Sequence, residues 1–299
     1  MLVLDSGNAL FRGSPGPKPA DADLERARLV LSTMGALRTK VLAVGFRDLV
    51  AGPQFLSSEA KKAGVQLLST NLELDGKPAF TRSAVIAQGG VKVAFLVASG
   101  AGPVPGSPGL EAAPALPALK AELAKLPARD VTVLIGTAGY SDAMALAEAL
   151  SGAVDLVIQS GEFRGAAPPQ RVKDLFLLAS GQRGQSLATL ELTLGRGFGP
   201  FSDLNEGARD QELLEHLDRQ LTSIDERLKL AGDADAKQQL KALRQDMKVR
   251  RDEQARRVKL TVGARTLKLE WLLLGTDLAD DPAIKAQVLK VEPTYSGVH

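Results

Sequence analysis

Over about its first 200 residues the chain alternates short apolar runs with longer amphipathic segments. Runs rich in Val, Leu and Ile predict buried strands, and apolar residues every three or four positions predict helices. The predicted strands are 2–5, 41–44, 65–70, 83–87, 91–98, 131–136, 156–159, 175–179 and 186–194, and the predicted helices are 22–33, 54–63, 115–125 and 141–149. This alternation is typical of a layered α/β domain. Gly89-Gly90 indicates a hairpin turn, and the Gly-, Pro- and Ala-rich residues 100–117 indicate a surface loop.

The pattern changes over residues 210–257, which are highly charged and contain few β-branched side chains. Leucine or isoleucine recurs there every three or four residues, which is the spacing of a coiled-coil seam. The seam residues are Leu213, Leu217, Leu221, Ile224 and Leu228, followed after an interruption by Leu240, Leu243 and Met247. Gly232-Asp233 forms the interruption, so the pattern predicts two antiparallel helices in a hairpin roughly 35 Å long.

The remaining residues predict a β-hairpin, a helix and a tail. Strands are predicted over 258–262 and 266–274, with Gly263-Ala264 between them, and a helix over 280–288. We therefore expect an α/β domain over 1–205, a helical hairpin over 206–257, and a segment over 258–299 that returns to the body.

Composition restricts the chemistry more than it identifies it. The chain has two histidines and no cysteine. His216 lies in the charged helical segment and His299 is the last residue. Zinc sites, dinuclear iron or manganese sites, and Ser-His or Cys-His nucleophiles usually draw on these two residue types. The sequence therefore argues against all of them.

The charge balance gives no field that would attract nucleic acid or an anionic membrane, since 37 basic residues face 35 acidic ones. A basic run over 248–259 contains interleaved Asp252 and Glu253 and has no aromatic residue for stacking, so it indicates a solvated helix face. The longest apolar stretch, 91–99, contains Lys92 and is too short for a membrane span. No pattern of a signal peptide opens the sequence.

Five motifs occur in the order and spacing of a known family. They are Leu4-Asp5-Ser6-Gly7-Asn8, Gly45-Phe46-Arg47-Asp48, Ser69-Thr70-Asn71-Leu72, Val133-Leu134-Ile135-Gly136-Thr137, and Ser160-Gly161-Glu162-Phe163. Together they resemble the 5′-nucleotidase family of the calcineurin-like metallophosphoesterase superfamily over about residues 2–195. The resemblance implies a four-layer α/β/β/α sandwich, which here carries an inserted helical hairpin.

The same resemblance implies that the metal site is degenerate. Asn8 stands where the family has a bridging Asp, and Phe46 stands where it has a liganding Asn. Arg47 replaces the histidine that stabilises the transition state, and Asp48 follows it in the motif. The family's liganding histidines correspond to Thr137, Gly161 and Phe163. The family's Asp-x-His strand and its nucleobase-binding second domain have no counterpart here, so no cofactor is expected.

Two residual binding roles remain open at these positions. Arg47 either binds an anion such as phosphate, as a guanidinium can, or forms a structural ion pair with Asp48 or another acid. Asp5 and Asp48 either hold a hard cation through oxygen atoms or cap the ends of strands.

The functional expectation is a catalytically inactive, metallophosphatase-like binding or structural module. The alternative is a metal-dependent phosphoester or nucleotide hydrolase with a reduced or relocated metal site. The 210–257 hairpin is the candidate surface for a partner or a second copy. The resemblance also implies a periplasmic or otherwise extracytoplasmic setting. The tail Tyr295-Ser296-Gly297-Val298-His299 resembles the segment that precedes haem sites in multihaem cytochromes, which suggests such a partner.

Overall fold

The computed structural model describes residues 1–13, 19–160, 167–179, 181, 185–195, 199–260, 265–275 and 277–294. The helices are α1 Asp21–Ala36, α2 Gly52–Ala63, α3 Ala115–Leu123, α4 Tyr140–Leu150, α5 Leu204–Leu230, α6 Ala234–Leu260 and α7 Pro282–Val291, with a 3₁₀ helix over Phe46–Leu49. The strands are β1 Leu4–Asp5, β2 Val41–Ala43, β3 Gln66–Leu68, β4 Leu72–Leu74, β5 Lys77–Pro78, β6 Ser83–Gln88, β7 Val91–Ala98, β8 Gly102–Pro103, β9 Leu110–Ala112, β10 Val131–Gly136, β11 Leu156–Gln159, β12 Gln170–Val172, β13 Leu175–Ala179, β14 Ser186–Thr193, β15 Ser202–Asp203 and β16 Thr266–Leu273.

A six-stranded sheet with the order β12-β13-β11-β10-β7-β6 forms the largest layer. Strands β7, β10, β11 and β13 run parallel, so their carboxyl ends meet at one edge. All six residues of β10 are buried, because helices and a second sheet cover a parallel sheet on both faces. Gly89 and Gly90 have φ angles of 59° and 84° and join the antiparallel strands β6 and β7, which confirms the predicted turn.

Two apolar clusters hold the layers together. Helices α3 and α4 pack on the six-stranded sheet, where Leu119 and Leu150 contact a cluster that includes Leu134. Helices α1 and α2 pack on the parallel sheet β1-β2-β3 through a cluster that includes Leu31 and Leu56. The body is the four-layer α/β/β/α sandwich that the sequence predicted. A small antiparallel sheet, β5-β4-β9-β8, accompanies it.

The chain divides into two compact units, 1–189 with 271–299, and 190–270. The second unit contains α5 and α6, which are 27 residues each and are separated by residues 231–233. Asp225 pairs with Arg244 and Asp218 with Arg251, so residue numbers fall on one helix as they rise on the other and the helices are antiparallel. The predicted division at residues 205 and 257 stays a prediction.

Several predicted segments were wrong in detail. Residues 258–260 belong to helix α6, so the strand predicted over 258–262 is absent from its described part, and residues 261–264 lie outside the described residues. Strand β16 pairs instead with β14 and β15. Residues 100–117, expected as a loop, contain β8, β9 and the start of α3. The final helix begins at Pro282, because the Asp281 side chain accepts the N–H groups of Ala283 and Ile284 at 2.9 and 3.0 Å.

Within the described part of the chain, no helix is both long enough and apolar enough to span a membrane.

Candidate functional site

Three of the predicted site residues lie together where the parallel strands end. Asn8 follows β1, Asp48 lies in the 3₁₀ helix after β2, and Thr137 directly follows β10. Strands β1 and β2 are parallel neighbours, so their following loops leave the sheet at the same edge. Hydrogen bonds between these loops and the end of β10 bring Asn8, Asp48 and Thr137 into one cluster.

The carboxylate of Asp48 is the centre of this cluster and is completely buried. Its Oδ2 accepts the backbone N–H groups of Asn8 at 2.8 Å and Gly45 at 2.9 Å. Its Oδ1 accepts those of Ala9 at 2.8 Å and Leu10 at 3.1 Å. The side chain therefore fastens the loop after β1 to the loop after β2 through four backbone donors.

Burial raises the pKa of Asp48 to about 6, although the N–H groups of Gly45, Asn8 and Leu10 lower it and the charge of Asp5 raises it further. Burial also raises the pKa of Asp5, against a lowering by the N–H of Gly7. That N–H donates to Asp5 Oδ1 at 2.8 Å. Both carboxylates thus accept backbone N–H groups of the loop after β1. For both, the loss of solvation on burial is the largest effect on the pKa.

Asn8 uses both ends of its side-chain amide. Its Nδ2 donates to the carbonyl of Thr137 at 3.1 Å, and its Oδ1 accepts the backbone N–H of Arg47 at 3.2 Å. The residue has a φ of 60°, a left-handed conformation that Asn tolerates better than most residues. A Cβ at position 45 would lie 2.3 Å from Asn8 Oδ1, so a glycine is needed there to leave room for the Asn8 amide. Asn8 therefore links three strand ends.

The hydroxyl groups of Ser99, Thr137 and Ser160 complete the cluster, and the two serines had no predicted role. Ser99 Oγ lies 3.1 Å from Thr137 Oγ1 and donates to the carbonyl of Val44 at 3.2 Å. Ser160 Oγ donates to the carbonyl of Gly7 at 3.0 Å. Ser99 and Ser160 each directly follow a buried parallel strand, and that position was the available signal.

Asn71 is a further buried residue near these strand ends. Its side chain exchanges hydrogen bonds with the backbone of Ser99 and also donates to the carbonyl of Ala113 at 2.7 Å. The residue is part of a motif quoted for the resemblance, and its contacts indicate a structural role.

Two of the other predicted positions, Phe46 and Arg47, do not join the cluster through their side chains. Phe46 is half-buried and packs against the cluster formed by α1 and α2. Arg47 has an exposed side chain, and its contact with Asn8 is made by the backbone. Gly161 and Phe163 lie outside the described residues. Nowhere in the described ranges do three His, Cys, Asp or Glu side chains lie close enough to hold a metal ion.

A groove of about 600 Å³ lies elsewhere, between α1, α2 and α7. Its charged lining is largely paired internally, since Glu59 contacts Lys62 at 2.8 Å and Arg28 at 3.7 Å. None of the cluster residues lines it, and it is not part of this site.

No family model and no curated protein sequence matches the chain. Solved structures do. The 5′-nucleotidase precursor from Thermus thermophilus superposes with a TM-score of 0.53 at 22% identity, covering 64% of this chain and 42% of that protein. The NAD nucleotidase of Haemophilus influenzae gives a TM-score of 0.53 at 14% identity, covering 63% of this chain and 37% of that protein. The body has the metallophosphoesterase fold. The chain spans about two fifths of the length of each, and at these identities the likeness concerns the fold.

Proposed function

We propose that this chain is a catalytically inactive module with the metallophosphoesterase fold, which acts by binding or by providing structure. The observation that carries the proposal is the bonding of Asp48. An ionised carboxylate offers about four lone-pair positions, and here four backbone N–H groups occupy them. Asp48 would become a metal ligand only if the loop over residues 7–10 came away from it.

The neighbouring positions fit a dinuclear metal centre no better. Such a centre holds two cations close together and needs anionic and imidazole ligands to neutralise and orient them. Asn8 is uncharged and its amide is engaged. Phe46 has no donor atom. The hydroxyl of Thr137 contacts Ser99 Oγ at 3.1 Å and the carbonyl of Ala98 at 3.3 Å.

Among the described residues, no histidine lies at the cluster. The chain has two histidines, of which His216 lies in helix α5 of the second unit and His299 lies outside the described residues. A hydrolase of this fold would therefore have to work with a reduced or relocated metal site. The fold shared with 5′-nucleotidases keeps that function as the alternative.

Anion binding by Arg47 is part of the proposal as a residual property. The ion pair with Asp48 that would have been its structural explanation does not occur among the described contacts, since Asp48 is bonded to the backbone. The Arg47 side chain is exposed beside the cluster. A guanidinium in that position suits a phosphate group.

The second binding element is the hairpin of α5 and α6, through which we propose that the chain associates with a partner. The extracytoplasmic setting and the cytochrome partner stay predictions, and residues 295–299, on which the latter rests, lie outside the described residues.

The test is metal content, measured by mass spectrometry after incubation with Mn²⁺ and Zn²⁺, together with hydrolysis of AMP and bis(p-nitrophenyl) phosphate. We expect neither stoichiometric metal nor turnover. Asp5→Asn is the matched control, because it removes a candidate oxygen ligand and leaves the Asp48 bonds in place. Stoichiometric metal with turnover that Asp5→Asn abolishes would overturn the proposal, whereas turnover equal in both proteins would indicate a contaminating phosphatase.

A further inference from the structure

The hairpin of α5 and α6 leaves much of its apolar seam uncovered. Of the seam residues that the sequence predicted, Leu217 and Ile224 are buried, at 8% and 5% exposure. Leu213 is 46% exposed and Leu243 is 44% exposed, and the other four are half-buried. Leu213 lies only ~40° around the helix from Leu217, so it belongs to the same stripe.

Two helices packed side by side cannot cover such a stripe completely, because each helix shields only the side of the other that faces it. Helices draw most of their stability from packing an amphipathic face. Among the described side chains of the hairpin, the remaining buried one is polar: Gln254 donates from Nε2 to the side chain of Asp210 at 2.8 Å and to its carbonyl at 3.0 Å. The two 27-residue helices thus bury Leu217 and Ile224 and leave the rest of the predicted seam partly or largely exposed.

Ion pairs also link the two helices. Arg244 forms two hydrogen bonds to the carboxylate of Asp225, and Arg251 donates to Asp218 at 2.9 Å. The side chains of the first pair are 43% and 42% exposed, and exposed pairs contribute little to stability. These pairs help to fix the register of the two helices, but they do not stabilise the hairpin as an apolar core would.

The charges of the two helices are opposite. Helix α5 has seven acidic and four basic side chains, whereas α6 has nine basic and four acidic ones. In a four-helix bundle made from two such hairpins about a two-fold axis, each helix has two neighbours. When that axis runs along the bundle, every acidic α5 lies between two basic α6 helices, one from its own chain and one from the second copy. The charge pattern thus favours a second copy of this chain as the occupant.

We propose that the hairpin self-associates, and that two copies form an antiparallel four-helix bundle that covers Leu213 and Leu243. The inference deepens the proposed binding role and rests on it only for the hairpin. The inference does not depend on the Asp48 cluster. Metal binding or hydrolysis would therefore overturn the proposed function but not the self-association of the hairpin.

The test is the mass of the full chain by sedimentation equilibrium over a range of concentrations, against the 31.5 kDa of a single copy. We expect a reversible dimer. The double variant Leu213→Ala and Leu243→Ala keeps helix propensity, and its dimer dissociation constant should rise by at least about tenfold.

The matched control is Val249→Ala. Val249 is 49% exposed on α6 and lies ~160° around the helix from Met247, so it faces away from the seam. The control should keep the dimer, and circular dichroism should show equal helix content in all three proteins. A chain of single-copy mass at every concentration, or a dimer that the double variant leaves unchanged, would overturn the inference. If helix content falls in the double variant, Leu213→Met should preserve both the helix and the dimer.

Discussion

The side-chain Nδ2 of Asn8 donates to the backbone carbonyl of Thr137 at 3.1 Å and so joins the end of β1 to the end of β10. A carboxylate at position 8 would place a second acceptor against that carbonyl and a second negative charge beside buried Asp48. The Asn8 amide therefore holds the cluster together, because its Nδ2 donates to the loop after β10 and its Oδ1 accepts from the loop after β2.

Asn8→Asp should destabilise the fold by about 1 to 3 kcal/mol at pH 7.5, because a donor is lost and two acceptors face each other in a partly buried setting. Guanidinium denaturation measures the change, with and without Mn²⁺. Asn8→Gly is the control, since it removes the side chain without straining the positive φ. The interpretation fails if Mn²⁺ restores the stability of Asn8→Asp, since the aspartate would then be binding metal.

Asp48→Asn should be more destabilising, by about 3 to 5 kcal/mol, because the amide nitrogen cannot accept the N–H groups that Oδ1 or Oδ2 now accepts. The loss should be the same in EDTA and in Mn²⁺, as measured by denaturation with either additive. A loss seen only in the presence of metal would mean that Asp48 is a ligand rather than an anchor of the backbone.

Asp48 also predicts how stability depends on pH. Its folded pKa is about 6, above the ordinary value of 3.8, so the folded state binds this proton more tightly than the unfolded state does. The associated stability is present below pH 3.8 and is lost as pH rises through 6. Between pH 7.5 and pH 5 the free energy of unfolding should rise by about 1 kcal/mol from this group.

Burial raises the pKa of Asp5 as well, so its contribution to stability also falls as the pH rises. Denaturation at pH 7.5, 6 and 5 should therefore be compared between the native protein, Asp5→Asn and Asp48→Asn. The slope should shrink in Asp48→Asn. An unchanged slope in that variant would assign the pH dependence to other groups.

Local pattern predicted the longer strands of the body and helices α1 to α4, because buried strands such as β7 and β10 are largely apolar runs, but it missed the short strands β4, β5 and β12. It failed at Val258, whose β-branched neighbourhood favoured a strand although the helix continues to Leu260. It also failed between Gly102 and Ala112, where β9 forms by long-range pairing with β4 and β8 pairs with β9, and no local signal encodes the pairing with β4.

The cluster residues were located by the resemblance, but their bonding was not. The sequence offered Asp48 as a cation ligand, a strand-end cap or a partner of Arg47. Its actual contacts are backbone N–H groups from residues 8–10 and 45, and a sequence does not show where backbone donors point. The roles of Ser99 and Ser160 likewise depend on which strand ends meet, which only the assembled layers determine.

The loop after β1 lies tightly against strand β2. Gly7 has a φ of 89°, and a Cβ there would lie 2.0 Å from the carbonyl oxygen of Ala43 in the buried strand. Gly7→Ala should cost more than about 3 kcal/mol, because backbone must move in addition to the strain of the positive φ. Gly64→Ala is the matched control. Gly64 has a φ of 70° with nothing within 4 Å of its Cβ position, so it carries the conformational strain alone, about 1 to 2 kcal/mol. Guanidinium denaturation of both variants gives the difference directly. Equal losses would mean that the loop is not pressed onto β2, and the three bonds from residues 8–10 to Asp48 would then lose their role as the anchor of this loop.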